Sequence, residues 1–325
     1  MPLLRGAEKV KPDMKYAILG AGAMGSIIGA VLAKGGQEVV LVDPYKEHLE
    51  KVARDGLQVK WSDRTEVVYP ATCVNPAEAG PVDVVVLLVK GFHSAAAVQG
   101  APGLFSEHTY ICSLQNGLGN DEILAGLFPP DRILQGVLRM TGSLTGPGQV
   151  LANTLGGIAI YIGSLARQGA ADEAARTIVA HLNAGGVPAE FSAHVAEHIW
   201  AKAVSNACVN GTCGIVRLRV GEFFNHPTGF QTVQDITREV VTVAAAKGVK
   251  LDYEALIADM IASVQRGGGH YPSMAQDMRA HRQTEIDSLN GAIARYGREL
   301  GIPTPANDYI ARFVKIIEDH YEEQF

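Results

Sequence analysis

Three polar side chains recur every fourth residue in the otherwise apolar stretch IWAKAVSNACVN, residues 199–210: Lys202, Asn206 and Asn210. In a helix, a spacing of four keeps them on one side, drifting slowly around it, with Ser205 beside the stripe. Solvent faces of helices favour Glu, Lys and Arg, so one lysine among amides is an unusual surface. The set suits proton transfer. A ketone that accepts hydride becomes an alkoxide, which needs a proton and a positive field. A lysine in a partly desolvated crevice holds its proton less tightly and can donate it, while amides hold a hydroxyl or carboxylate without adding charge. On spacing alone, an ordinary solvated lysine is an equal alternative.

A site for the hydride donor is suggested near the other end of the chain. Gly20-Ala21-Gly22-Ala23-Met24-Gly25 fits G-x-G-x-x-G. The first glycine permits a tight turn, the second lets a pyrophosphate approach the backbone, and the third allows close helix–strand packing. The phosphates would sit on a helix N-terminus, where unpaired N–H groups and the dipole favour anions. The motif follows an apolar run and opens a helical pattern, and this context separates it from a merely structural glycine turn. Asp43 lies 23 residues after Gly20, where a carboxylate hydrogen-bonds an adenosine ribose hydroxyl and repels a 2′-phosphate. That favours NADH over NADPH, although Lys46 nearby softens the repulsion. The alternative for Asp43 is a turn residue before Pro44. Lys90 closes the apolar run LLVK and Asn116 falls in LQNGLGN. Both would stand at C-terminal ends of strands, where ligands bind in parallel sheets, though Asn-Gly is also a common turn pair.

A further polar cluster spans residues 271–291, YPSMAQDMRAHRQTEIDSLNG. Ser273 and Asp277 precede an expected helix holding Glu285, Asp287 and Asn290. The preceding Gly267-Gly268-Gly269 could flex as a lid hinge. A plainer account is that Thr284, Glu285 and Asp287 cap and charge-stabilise a helix N-terminus.

These residues need elements to position them. Apolar, β-branched runs at 15–19, 38–42, 83–89, 109–114, 132–139 and 149–162 read as strands, with helical patterns after GAGAMG through Lys34, from about Ser94 and at 121–127. Alternating strands and helices predict an α/β domain with a Rossmann-type, doubly wound parallel sheet. Beyond about residue 190 only helical patterns follow: 193–210, 228–247, 253–265, 284–300 and a last helix from Pro305, with Thr304 as its N-cap. The expected organisation is an extension over 1–13, a dinucleotide-binding domain over 14–190 and an all-α substrate and catalytic domain over 191–325.

The chain has 325 residues, 47% of them hydrophobic and 19% charged, with a formal net charge of −6. That composition can build two cores and offers no basic surface for nucleic acid. No apolar run reaches the ~18 residues of a membrane span, and residues 1–13 do not resemble a secretory signal, so the expected location is cytoplasmic. Cys73, Cys112, Cys208 and Cys213 form no CxxC pair or zinc-like spacing and read as reduced thiols, with no metal site.

GAGAMG, LLVK, QNGLGN, W-x-K-x-x-x-N-x-x-x-N and S-M-x-Q-D…T-E-I-D-x-x-N-G occur in order from Met14 onward, and together they resemble the ketopantoate reductase (2-dehydropantoate 2-reductase) family. The resemblance implies NADPH-dependent reduction of 2-dehydropantoate to (R)-pantoate, a step of pantothenate and coenzyme A synthesis. It implies Lys202 as general acid, and Asn116, Asn206, Asn210 and Ser273 as substrate-binding residues. It also implies Glu285 as a carboxylate meeting the substrate hydroxyl and Lys90 as a lysine at the cofactor–substrate crevice. The small 2-keto acid would bind between the domains, and a homodimer is possible. Asp43 departs from the family, whose NADPH-using members usually carry a basic or neutral residue there. It keeps open another 2-hydroxy-acid, 3-hydroxy-acid or opine-type dehydrogenase. A nicotinamide-binding sensor without turnover would need no acid at position 202.

Overall fold

A computed structural model describes residues 13–154 and 156–323. The extension expected over residues 1–13 lies, but for Asp13, outside them. The chain divides into two compact units: residues 1–116 with 120–195, and residues 117–119 with 196–325.

The first unit is built on an eight-stranded sheet. Its strands are β1 (Lys15–Leu19), β2 (Glu38–Val42), β5 (Ala71–Cys73), β6 (Val84–Leu87), β7 (Tyr110–Ser113), β8 (Ile133–Leu138), β11 (Ile160–Ser164) and β12 (Ala189–Phe191). They run in the order β12-β11-β8-β7-β6-β1-β2-β5. All pairings are parallel except β8 with β11. The doubly wound parallel sheet is therefore present, with one antiparallel join. Alternate residues serve opposite faces, as the pleat requires. Tyr16, Ile18, Val84 and Val86 enter one core with Ile27, Ile28, Val31 and Leu32 of helix α1 (Ala23–Lys34). Ala17, Leu19, Val85 and Leu87 enter another with Val98 and Leu124. Burial on both faces is why these strands read as continuous apolar runs.

The pattern reading missed a second sheet, which runs in the order β4-β3-β10-β9 and is formed by β3 (Leu57–Lys60), β4 (Thr65–Val68), β9 (Met140–Gly146) and β10 (Gln149–Thr154). The single run expected over 149–162 is two strands in two different sheets, β10 and β11. Helices α2 (Lys46–Asp55), α3 (Ser94–Gln99), α4 (Asn120–Ala125) and α5 (Gly169–Ala184) complete the unit.

The second unit is helical: α6 (Val195–Val216), α7 (Val220–Phe224), α8 (Pro227–Ala246), α9 (Tyr253–Gly267), α10 (Ser273–Arg279), α11 (Asn290–Leu300) and α12 (Pro305–Asp319). Its core gathers Trp200, Val204, Cys208, Val240, Met278, Ile286, Ile293, Tyr296 and Val314. Two expectations are corrected here. The helix read over 284–300 starts at Asn290, and Glu285 precedes a short 3-10 turn, Ile286–Ser288. Thr304 is at the N-cap of α12 but its side chain accepts no capping hydrogen bond. The Glu239 carboxylate takes that place, receiving the N–H groups of Ala306 at 2.8 Å and Asn307 at 3.0 Å. Within the glycine run 267–269, Gly268 is packed: Gly221 N–H donates to the Gly268 carbonyl at 2.7 Å, and a Cβ on Gly268 would lie 2.9 Å from the Gly221 Cα.

The four cysteines are buried and unbridged. No helix among the described residues is long and apolar enough to cross a membrane.

Candidate active site

The first unit brings the sequence-predicted cofactor residues to adjacent strand ends. Gly20 leaves β1 with φ +102°, a conformation that favours glycine. Its N–H donates to the Val42 carbonyl at 2.9 Å, next to Asp43. A Cβ on Gly20 would lie 2.6 Å from the Val89 nitrogen, next to Lys90. Asp43, the glycine loop and Lys90 thus follow β2, β1 and β6, three neighbours in the sheet, and Asn116 follows β7 beyond them. The order of connections reverses at β1, the place where open parallel sheets bind ligands.

Gly22 is the N-cap of α1 and carries no side-chain cap, and a Cβ added to it would meet nothing within 4 Å. The first-turn N–H groups of such a helix have no intrahelical acceptor, so the cradle fits a pyrophosphate. Gly25 is required for packing, because a Cβ there would overlap the Gly20 carbonyl oxygen. Asp43 is placed at the strand end beside the glycine loop. Its Oδ1 accepts the Tyr45 N–H at 2.8 Å, as a turn residue does, and its carboxylate stands at the end of β2.

Two supports of this loop were not foreseen. The first is His48 on α2, fully buried with Ser26. Gly148 N–H donates to His48 Nδ1 at 3.0 Å, so the ring proton belongs on Nε2. Nε2 is 3.0 Å from Ser26 Oγ, and Ser26 Oγ donates in turn to the Ala21 carbonyl at 2.9 Å. Burial holds His48 below the usual histidine range, with Asp43 pulling the other way, and the neutral ring suits this one-way chain into the glycine loop. The second is Gln115, whose Nε2 donates to the Val89 carbonyl and to Ser94 Oγ, both at 2.7 Å. It fixes the backbone just before Lys90. Gly117 and Gly119 both have φ +86°, so QNGLGN is also a tight turn.

The second unit brings Lys202, Asn206, Asn210, Ser273 and Glu285 onto a few packed elements. Lys202 and Asn206 are half-buried on α6 and Asn210 is buried. Burial lowers the Lys202 ammonium to about 8, and the Glu285 carboxylate opposes that shift. An ammonium that titrates near neutrality is suited to give up a proton. Glycines on α6 allow the close packing: Gly211 faces Ile310 and Ile286, and Gly214 faces Met278. Ile286 directly follows Glu285, and Met278 lies on the helix that Ser273 begins. Ser273 itself is exposed.

A glycine-loop parallel sheet joined in one chain to a helical unit with a low-affinity lysine defines a nicotinamide-dependent oxidoreductase. The chain belongs to the ketopantoate reductase family: the PanE/ApbA family pattern matches residues 16–167 and its C-terminal counterpart residues 194–318. A 2-dehydropantoate 2-reductase of Streptococcus pyogenes serotype M3 is 32% identical over 90% of this chain and 94% of its own. One from Halobacterium salinarum is 30% identical over 94% and 99%. Among solved structures, D-mandelate dehydrogenase with NADH and anilino(oxo)acetate is 32% identical with a TM-score of 0.86, covering 95% of this chain and 99% of that one. A PanE/ApbA family ketopantoate reductase from Ralstonia eutropha is 30% identical with a TM-score of 0.85, covering 95% and 100%.

Proposed function

We propose that this protein reduces a 2-keto acid, 2-dehydropantoate first among them, to the 2-hydroxy acid, with Lys202 as the general acid. The observation that carries the reading is a lysine held near 8 beside a carboxylate, on a helix whose same face offers two amides. With a reduced nicotinamide held by the glycine loop, the ketone carbon would receive hydride from it. The Lys202 Nζ–H bond breaks as the new O–H bond forms on the former carbonyl oxygen, so the substrate gains one hydride and one proton. Asn206, Asn210, Asn116 and Ser273 bind the carboxylate and hydroxyl groups, and Glu285 accepts from the substrate hydroxyl. Gly20 to Gly25 and Lys90 hold the cofactor.

Asp43 supports NADH as the preferred cofactor, since its carboxylate would repel a 2′-phosphate. The same residue favours a second reading, an NADH-dependent 2-hydroxy-acid dehydrogenase for a bulkier keto acid, in line with the likeness to D-mandelate dehydrogenase. A steady-state assay of 2-dehydropantoate, benzoylformate and other branched 2-keto acids, each with NADH and NADPH, separates the two. The first reading expects the highest kcat/KM on 2-dehydropantoate. A preference of tenfold or more for another keto acid selects the second. No turnover on any 2-keto acid refutes both.

A further inference from the structure

Glu285 lies on a stretch that has no regular hydrogen-bonding ladder of its own. Residues 280–285 run between the end of α10 and the 3-10 turn Ile286–Ser288. Backbone groups in such a stretch need partners from elsewhere, and the C-terminal end of the chain provides them. Thr284 N–H donates to Glu318 Oε1 at 2.6 Å. Tyr321 Oη donates to the Arg282 carbonyl at 2.9 Å. The His281 ring stacks on Tyr321 with centroids 4.9 Å apart and planes parallel, and its Nδ1 is 3.7 Å from Glu322. Lys315 joins Glu318 at 3.3 Å to Asp287 at 2.6 Å. From the other side, Arg282 Nε and Nη2 both donate to Asp277 Oδ1, at 2.9 and 2.8 Å.

Thr284, directly before Glu285, is fully buried, and the Glu318 side chain is only 9% exposed. A carboxylate is a costly group to bury there, and its two partners are the backbone N–H next to Glu285 and a lysine that also grips the turn after it. The contacts bracket Glu285 at positions 281, 282, 284 and 287.

We infer that Glu318, seconded by Tyr321, is a positioning residue that holds Glu285 at its working distance from Lys202. The inference rests on the reading of Lys202 as the acid. Glu285 is the charged group that raises the proton affinity of Lys202 against burial. If its segment is released, that upward pull weakens.

The test is a titration of Lys202 by NMR of 15N-lysine-labelled, cofactor-free protein, with the signal assigned by its loss in Lys202→Met, alongside the pH profile of kcat. In Glu318→Ala the Lys202 midpoint should fall by ~0.5–1 pH unit. The high-pH loss of kcat should move with it, and kcat should fall ~10-fold or more, while the cofactor Kd stays within twofold. Glu318→Gln keeps an oxygen for Thr284 N–H and should restore most of the midpoint and the rate. Tyr321→Phe should shift the midpoint the same way by less, and it carries the test if Glu318→Ala does not fold. A merely structural role predicts a lower Tm with the Lys202 midpoint unmoved, and that result in a folded Glu318→Ala or Tyr321→Phe overturns the inference. If instead wild-type turnover shows no dependence on Lys202, the acid assignment fails, whatever the Glu318 variants do to the NMR midpoint.

Discussion

Asn290 Nδ2 donates to the Ala207 carbonyl oxygen at 3.0 Å across 83 residues of chain. That bond ties α6, which carries Lys202, Asn206 and Asn210, to the start of α11, just beyond Glu285. The same Nδ2 also donates to Asn307 Oδ1 at 3.0 Å, and Asn307 Nδ2 donates to Glu239 Oε2 at 2.7 Å. Asn290 and Asn307 are both fully buried. The two halves of the candidate catalytic pair are therefore locked together through a solvent-excluded polar chain. Asn290→Leu leaves the Asn307 oxygen without its donor and should destabilise the protein by ~1–3 kcal/mol. Asn290→Asp, which turns an acceptor toward two acceptors, should cost more. Urea unfolding of the three proteins checks the order, and equal stabilities would contradict it.

Lys202→Ala should lower kcat by ~10²–10⁴ and leave cofactor Kd within twofold, because the glycine loop belongs to the other unit. A general acid must carry its proton, and burial holds Lys202 at about 8. Keto-acid reduction should thus be full below that pH and fall roughly tenfold per pH unit above it. The reverse oxidation, which needs the neutral amine, should rise over the same interval. Near-normal turnover by Lys202→Ala would be incompatible with the assignment.

The depressed proton affinity also predicts a stability effect. Lys202 titrates at 10.5 when unperturbed and at about 8 in the folded protein. The unfolded state therefore binds more protons between those values, and stability rises with pH across that window. Below pH 8 both states carry the charge and the full cost of burying it is felt. Lys202→Met should accordingly be more stable than wild type by ~1–3 kcal/mol near pH 7, with the gap closing toward pH 10.5. Denaturation at pH 7 and pH 10 measures it; a Met variant less stable at pH 7 would refute the claim.

His48 supports the glycine loop through Ser26 and Ala21. His48→Leu should raise the KM for cofactor about tenfold and change kcat at saturating cofactor by less than twofold. Ser26→Ala should move KM the same way by less. A change in kcat with KM intact would assign His48 to something other than the loop.

The glycine loop, its strand and its helix were legible because every requirement is local. Gly20, Gly22 and Gly25 serve a turn, an open cradle and a close contact within six residues. Helix α6 was legible because it is long and its apolar background is continuous, which left Lys202, Asn206 and Asn210 in relief. The second sheet was not legible, since β3 and β4 are four-residue strands of mixed character that pair with each other and join a sheet only when β10 pairs with β3 from about ninety residues away. The helix expected from residue 284 failed for a related reason: the polar run T-E-I-D looks like a helix start. Its backbone is instead held by Glu318 and by the Thr284 hydroxyl, which accepts the Ile286 N–H at 3.2 Å.

Periodicity and glycine spacing alone determined the doubly wound domain and the helical domain after it, and marked the candidate side chains for dinucleotide binding and proton donation. Those features depend on backbone geometry that repeats over a few residues. Tertiary structure alone decided which groups support them: His48 behind the glycine loop, Gln115 behind Lys90, Asn290 across to Ala207 and Glu318 behind Glu285. Each of those partnerships joins residues more than twenty apart, and a hydrogen bond is satisfied only by atoms about 3 Å from each other, a condition that no local pattern of residue types encodes.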